Sequence, residues 1–347
     1  MTRWPRPGTT ARWTTALLVL VAACLQPWVG SIHAFDLRTR SMVGDTLPEL
    51  VAPGTLSTGA DELGASFTPD GGTVYYTVKA GAEGQRGVIV FRRRAPRGRW
   101  SAPRVASFSG RYADYDPAVT PDGTRLFFVS SRPHGPAAGD DSTRRDFDVW
   151  VVERRPDGGW GAPRNVGTPV NGERDELFPS VTADGTLYFT SCGRSDTRGR
   201  CDLYRAPLRD GRYAEVENLG DAVNTAASET DGFVTPDERL LVFAAYGRPD
   251  EVGRGDLYVS ERRDGHWSRA RPLGARVNSV ARDYAPTVSH DGAYLYFTSQ
   301  RGFVDAPAAR PLTYGELRDS LRAPRNGLGD LYRIPVAALG VAWPARR

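Results

Sequence analysis

Val181-Thr-Ala-Asp-Gly-Thr-Leu-Tyr-Phe-Thr190 is a turn followed by an alternating apolar run, and the chain repeats this pattern five times. The other copies open at Phe67-Thr-Pro-Asp-Gly71, Val119-Thr-Pro-Asp-Gly123, Val234-Thr-Pro-Asp-Glu238 and Val288-Ser-His-Asp-Gly292. Their aspartates, Asp70, Asp122, Asp184, Asp237 and Asp291, are 52, 62, 53 and 54 residues apart. In such a turn Asp accepts hydrogen bonds from its own backbone, and Gly supplies a positive φ. All-strand units at this near-constant spacing read as the blades of a β-propeller.

One blade can be written strand by strand. Residues 176–182 form the first strand, 186–190 the second and 202–206 the third. Asp148-Val-Trp150, Asp256-Leu-Tyr258 and Asp330-Leu-Tyr332 repeat the third strand, with Val88-Ile-Val90 as a degenerate copy. A Gly-bearing turn then leads to an outer strand expected at Tyr213, with Trp100, Trp160 and Trp267 in the equivalent place. Period-2 alternation bounded by Gly and Asp is the strand signal, and four strands make a blade. The fifth unit lacks its outer strand. Leu47-Pro-Glu-Leu-Val-Ala-Pro-Gly54 resembles Ala270-Arg-Pro-Leu-Gly274, so the N-terminal segment is expected to complete the last blade and close the ring. The expectation is an all-β chain: one propeller of five four-stranded blades over 47–340, followed by a tail at 341–347. Six blades is the alternative, if residues 36–46 and the tail form a degenerate blade. Two insertions break the period, at 132–145 and 302–329. The second carries Thr313-Tyr-Gly-Glu316, a capping box that predicts a short surface helix over the residues after it.

The formal charge is +4, but Arg3, Arg6 and Arg12 stand in the first 23 residues without an acid, which leaves +1 beyond them. Acids and bases are interspersed, and Lys79 is the only lysine. Nucleic-acid binding, which wants a clustered basic surplus, is not expected. The basic start and the apolar run Ala16–Ala23 read as a signal peptide over 1–23, too short to span a bilayer. Val21-Ala-Ala-Cys24 resembles a lipobox that would lipidate Cys24 ahead of a linker at 24–46. The alternative is cleavage near Ala34. Either reading places the protein outside the cytoplasm, in the periplasm or anchored as a lipoprotein. Cys192 and Cys201 remain, at the mouth of a hairpin where an oxidising compartment would bridge them. The alternative is two free thiols.

The pattern acid-x-x-Pro-x-Val-Thr-Pro-Asp-Gly-x-x-Leu-Tyr-Phe-x-Ser, then Gly-x-x-Asp-Leu-Tyr, resembles the WD40-like PD40 repeat of TolB-type propellers, over essentially everything after residue 46. The resemblance implies an envelope propeller that works by binding proteins. TolB itself has six blades and a separate α/β domain, so its particular partners are not carried over. PD40 repeats also occur in peptidases, but no Gly-x-Ser-x-Gly is present here.

Chemistry is harder to place. Eight residues before each turn aspartate stands an acid: Glu62, Asp114, Glu176, Glu229 and Asp283. Nine to eleven residues after it stands a base: Lys79, Arg132, Arg194, Arg248 and Arg301. They can form a carboxylate ring at the channel mouth that binds a metal or a cationic partner, or each acid can pair with its own blade's base. A feature present in every blade favours the second reading. Asp116 and Asp231 do break the symmetry, where the other blades carry Gly64, Phe178 and Ala285. They are candidate Ca²⁺ ligands, but blades two and four are not neighbours. No other cofactor is expected. His33, His134, His266 and His290 do not cluster. Three functions stay open: a monomeric, non-catalytic scaffold for an envelope protein or peptide; a glycan- or small-ligand-binding propeller; and a propeller hydrolase that uses inward carboxylates with Ca²⁺.

Overall fold

The computed structural model describes residues 46–81, 86–133, 146–302 and 310–341. The signal at 1–23, Cys24, Ala34, His134 and most of the first insertion lie outside the described residues. The rest is a five-bladed antiparallel propeller. From the axis outward, blade one is Asp61–Phe67, Thr73–Ala80, Arg86–Arg93 and Arg104–Val105. Blade two is Asp114–Val119, Arg125–Ser130, Asp148–Glu153 and Arg164–Asn165. Blade three is Glu176–Val181, Leu187–Ser191, Asp202–Ala206 and Glu217–Asn218. Blade four is Ser228–Val234, Leu240–Tyr246, Asp256–Arg263 and Arg271–Pro272. Blade five is Asp283–Val288, Tyr294–Ser299 and Asp330–Pro335, and its outer strand is Glu49–Leu50 from the start of the propeller.

That last pairing closes the ring. Glu49 stands opposite Arg333 and Leu50 opposite Tyr332. The Val51 amide donates to Leu331 at 2.8 Å, and the Ser57 hydroxyl both accepts from the Leu331 amide and donates to its carbonyl. With this pairing Asp330–Pro335 is hydrogen-bonded on both sides instead of being left as an open edge.

The outer strands start four residues beyond the aromatics expected to open them. Trp100 and Trp160 bridge back to Arg94 and Arg154, while Trp267 pairs with Arg262 and Tyr213 with Leu208. In the last two, positive φ at Asp264 and Gly265, and at Asp210 and Gly211, makes a two-residue turn that folds the aromatic straight back. The ring then packs on a neighbouring blade. Trp160 Nε1 donates to the Tyr75 hydroxyl at 2.9 Å, and Trp267 meets Tyr188 edge to face at 6.2 Å.

The second strands are buried over most of their length because each blade is sandwiched between two others. In blade three, Leu187 and Phe189 pack with Phe127 and Val149 of blade two, whereas Tyr188 packs with Leu241 and Phe243 of blade four. The period-2 alternation of a strand therefore serves two apolar interfaces rather than one wet and one dry face. Cys192 and Cys201 form a disulfide with a Cα–Cα distance of 4.1 Å. The helix in the second insertion is Tyr314–Leu321, between strands two and three of blade five, with both hydrogen bonds of the Thr313–Glu316 capping box present.

Candidate functional site

The turn aspartates act on their own backbone. Asp70 Oδ1 accepts from the Thr68 hydroxyl at 2.5 Å and the Gly72 amide at 2.9 Å, and these donors hold its carboxyl below the usual range. Asp122, Asp184, Asp237 and Asp291 each accept from the hydroxyl two residues earlier in the same way. The fourth turn has Glu238 where the others have Gly, and its φ is +58°. Its carboxylate gathers the Tyr188 hydroxyl, Arg205 at 2.9 Å and Arg262, which ties blade three to blade four.

The five first-strand acids are almost fully buried and form no ring at a mouth. Each accepts from the backbone amide four residues earlier: Thr58, Gly110, Gly172, Thr225 and Ser279, at 2.6–3.3 Å. Each therefore fastens the crossover from the preceding blade. In four blades the expected base is alongside: Arg132 at 2.8 Å from Asp114, Arg194 at 3.3 Å from Glu176, Arg248 at 2.9 Å from Glu229 and Arg301 at 2.6 Å from Asp283. The guanidinium planes also lie over the aromatics of strands two and three. Arg248 is 5.2 Å from Phe243 and 4.5 Å from Tyr258, a desolvated cation–π contact. Blade one departs from the scheme. Lys79 reaches Asp61 at 3.7 Å rather than Glu62, and burial pushes Glu62 up to about 7. Burial also lifts Glu176 to about 7 despite Arg194, because the longer ion pair only partly offsets desolvation.

A second ring of equivalent positions lines the axis. Every first strand bulges there, and Gly64, Asp116, Phe178, Asp231 and Ala285 all have φ between +46° and +63°. The bulge aims a backbone amide at the preceding blade. Second-strand hydroxyls receive three of these amides: Thr298 takes Gly64, Thr77 takes Asp116 and Thr190 takes Asp231, at 3.1–3.2 Å. Blades two and four have Val129 and Ala244 in the threonine position. There the bulge residue itself supplies the acceptor. Asp231 Oδ2 takes the Ala285 amide at 3.2 Å, and the Phe178 amide favours the Asp116 carboxylate. The two aspartates that break the sequence symmetry stand in for two missing threonine hydroxyls.

They also feel each other's charge across the axis, although their blades are not neighbours. Burial pushes Asp116 up to about 7, the Asp231 charge adds to the rise, and Lys79 opposes it. Asp231 is raised by burial and held down chiefly by Arg282. Arg282 Nε donates to the Tyr246 hydroxyl at 3.0 Å, and its guanidinium lies 4.3 Å from the centroid of Tyr284. The Tyr284 hydroxyl is buried with no hydrogen-bond partner. Among the described residues, no group of three or more His, Cys, Asp or Glu stands close enough to hold a metal ion.

Between the bulge ring and the Thr-Pro-Asp-Gly turns, the axis widens into a cavity of about 570 Å³. Asp116 and Phe178 stand at its floor, prolines and phenylalanines form its walls, and Asp237, Arg239 and His290 stand at its rim. His290 is exposed in its turn, and sequence reasoning missed the cavity it borders. It also missed Asn171, Asn224 and Asn278, whose side chains clamp the third strands at Val149, Leu203 and Leu257. Their signal was present as a recurring Val-Asn.

No family model and no curated protein matches this chain. Solved structures do. A TolB-type protein of Agrobacterium tumefaciens is 14% identical, over 80% of this chain and 78% of that one, with a TM-score of 0.47. A glycoside hydrolase is 11% identical, over 87% of this chain and 95% of its own, with a TM-score of 0.49. The α-L-arabinofuranosidase of Lactobacillus brevis is 15% identical, over 82% and 92%, with a TM-score of 0.46. At these identities the likeness shows the fold alone.

Proposed function

We propose that this chain is a non-catalytic, exported propeller of the cell envelope that docks a partner protein on the face carrying its long loops. One observation carries the reading. Of the nine large apolar side chains exposed among the described residues, seven lie at that face: Val252, Val280, Leu312, Tyr314, Leu317, Leu321 and Leu328. All seven belong to blades four and five, in loops at the end of the blades opposite the Thr-Pro-Asp-Gly turns. Such a concentration of exposed apolar surface marks an interaction site. The helix projects from the ring with no buried residue, while Asn326 pins the loop after it to the Gly59 carbonyl at 3.0 Å. The disulfide fits an oxidising compartment. On this reading residues 1–23 export the protein, with Cys24 as its lipid anchor, and the propeller works as a monomer.

In-cell crosslinking of the tagged protein tests it. One dominant envelope protein should be captured, and capture should fall at least about tenfold when Leu317 and Leu321 become Asp. An adduct that survives that change, or no specific adduct, removes the reading. The cavity on the opposite face favours a second one, a propeller that binds a small ligand.

A further inference from the structure

The axial cavity has a chemistry of its own. Phe67 and Phe233 give it apolar walls, and the Asp116 carboxyl is the acid at its floor beside Phe178. We propose that it binds an ammonium or guanidinium head carried on an apolar stem, with the head seated against Asp116. About 570 Å³ accommodates one linear chain of that kind. The apolar walls lower the local dielectric around the carboxyl and strengthen its pull on a cation. Asp231 adds negative potential from across the axis, as its effect on Asp116 shows. Lys79 and Arg282 moderate this potential from outside the cavity lining, Lys79 held by Asp61 at 3.7 Å and Arg282 by the Tyr246 hydroxyl and the Tyr284 ring. Arg239 stays at the exposed rim beside Asp237. An anion would face the Asp116 carboxyl at the cavity floor, and a neutral head would gain nothing from its charge.

The test titrates hexylammonium, hexanol and hexanoate into the purified full-length protein at pH 8. Hexylammonium should bind about tenfold or more tighter than hexanol, with hexanoate weakest. Asp116→Asn keeps an acceptor for the Phe178 amide and tolerates the left-handed backbone. It should lower hexylammonium affinity to that of hexanol and leave hexanol binding unchanged, which also shows that the cavity is intact. Equal binding of all three probes to the native protein, or an ammonium preference that survives Asp116→Asn, overturns the proposal. Three further probes separate the sources of such a head: an N-acetylated peptide with one lysine, the same peptide with norleucine for lysine and a free N-terminus, and free spermidine. Loss of binding on Asp116→Asn in any arm supports the site, and insensitivity in all three overturns it.

Discussion

At the residue scale, the bulge ring shows two solutions to one problem. A backbone amide aimed into a neighbouring blade needs an acceptor, and leaving it bare costs about 1–3 kcal/mol. Thr190→Val should therefore destabilise the protein by about that much in denaturant titrations, through the Asp231 amide it abandons. Asp231→Ala should cost a similar amount through Ala285, and adding Ala244→Thr should recover part of it. A double change no better than the single one would break the equivalence. Asp116 makes a second prediction. Its carboxyl titrates near 7 when folded and near 3.8 when unfolded, so its stability contribution is greatest below pH 4 and declines as pH rises from about 4 to 7. Asp116→Asn removes that decline. Relative to the native protein, the variant should gain about 1–2 kcal/mol between pH 4 and 8, after discounting for water in the channel. A difference that stays flat across that range would contradict the raised value. These roles were only half legible: the sequence displayed Asp116 and Asp231 as exceptions, but their reason lies in Val129 and Ala244 on the next strand.

At the element scale, each blade uses the same parts: a turn built on Asp, a buried first-strand acid, a second strand with apolar residues on both faces, and a third strand held by Asn or Ser. The aromatics after strand three were legible as repeat positions but not as ribbon ends. Register there depends on a two-residue turn and on a neighbouring ring to pack against. The Cys192–Cys201 bridge closes the loop between strands two and three of blade three. Replacing both with Ser should cost about 2 kcal/mol by the loop-entropy estimate, measured as a loss of stability that reductant reproduces in the native protein. If reductant leaves the native stability unchanged, the bridge contributes nothing there.

At the scale of the whole molecule, stability depends on a strand of two residues. Removing the chain through Pro53 would strip blade five of Glu49–Leu50 and the Val51 contact to Leu331, exposing the edge of Asp330–Pro335. The truncated protein should aggregate or elute as oligomers in size-exclusion chromatography, and a well-behaved monomer would show that closure is dispensable. The sequence by itself determined the blade and pointed to five of them closed by the N-terminal strand, because those follow from local periodicity and turn chemistry repeated five times; the structure decided five against six. The tertiary structure alone decided what the charges do. The acid–arginine pairs lie within one blade, 18 or 19 residues apart, but the Asp231–Ala285 contact and the influence of Asp231 on Asp116 join residues more than fifty positions apart. The cavity was invisible because single short stretches of all five blades assemble it, and the apolar face because exposure of Leu312, Tyr314, Leu317, Leu321 and Leu328 is decided by how the insertion sits on the ring.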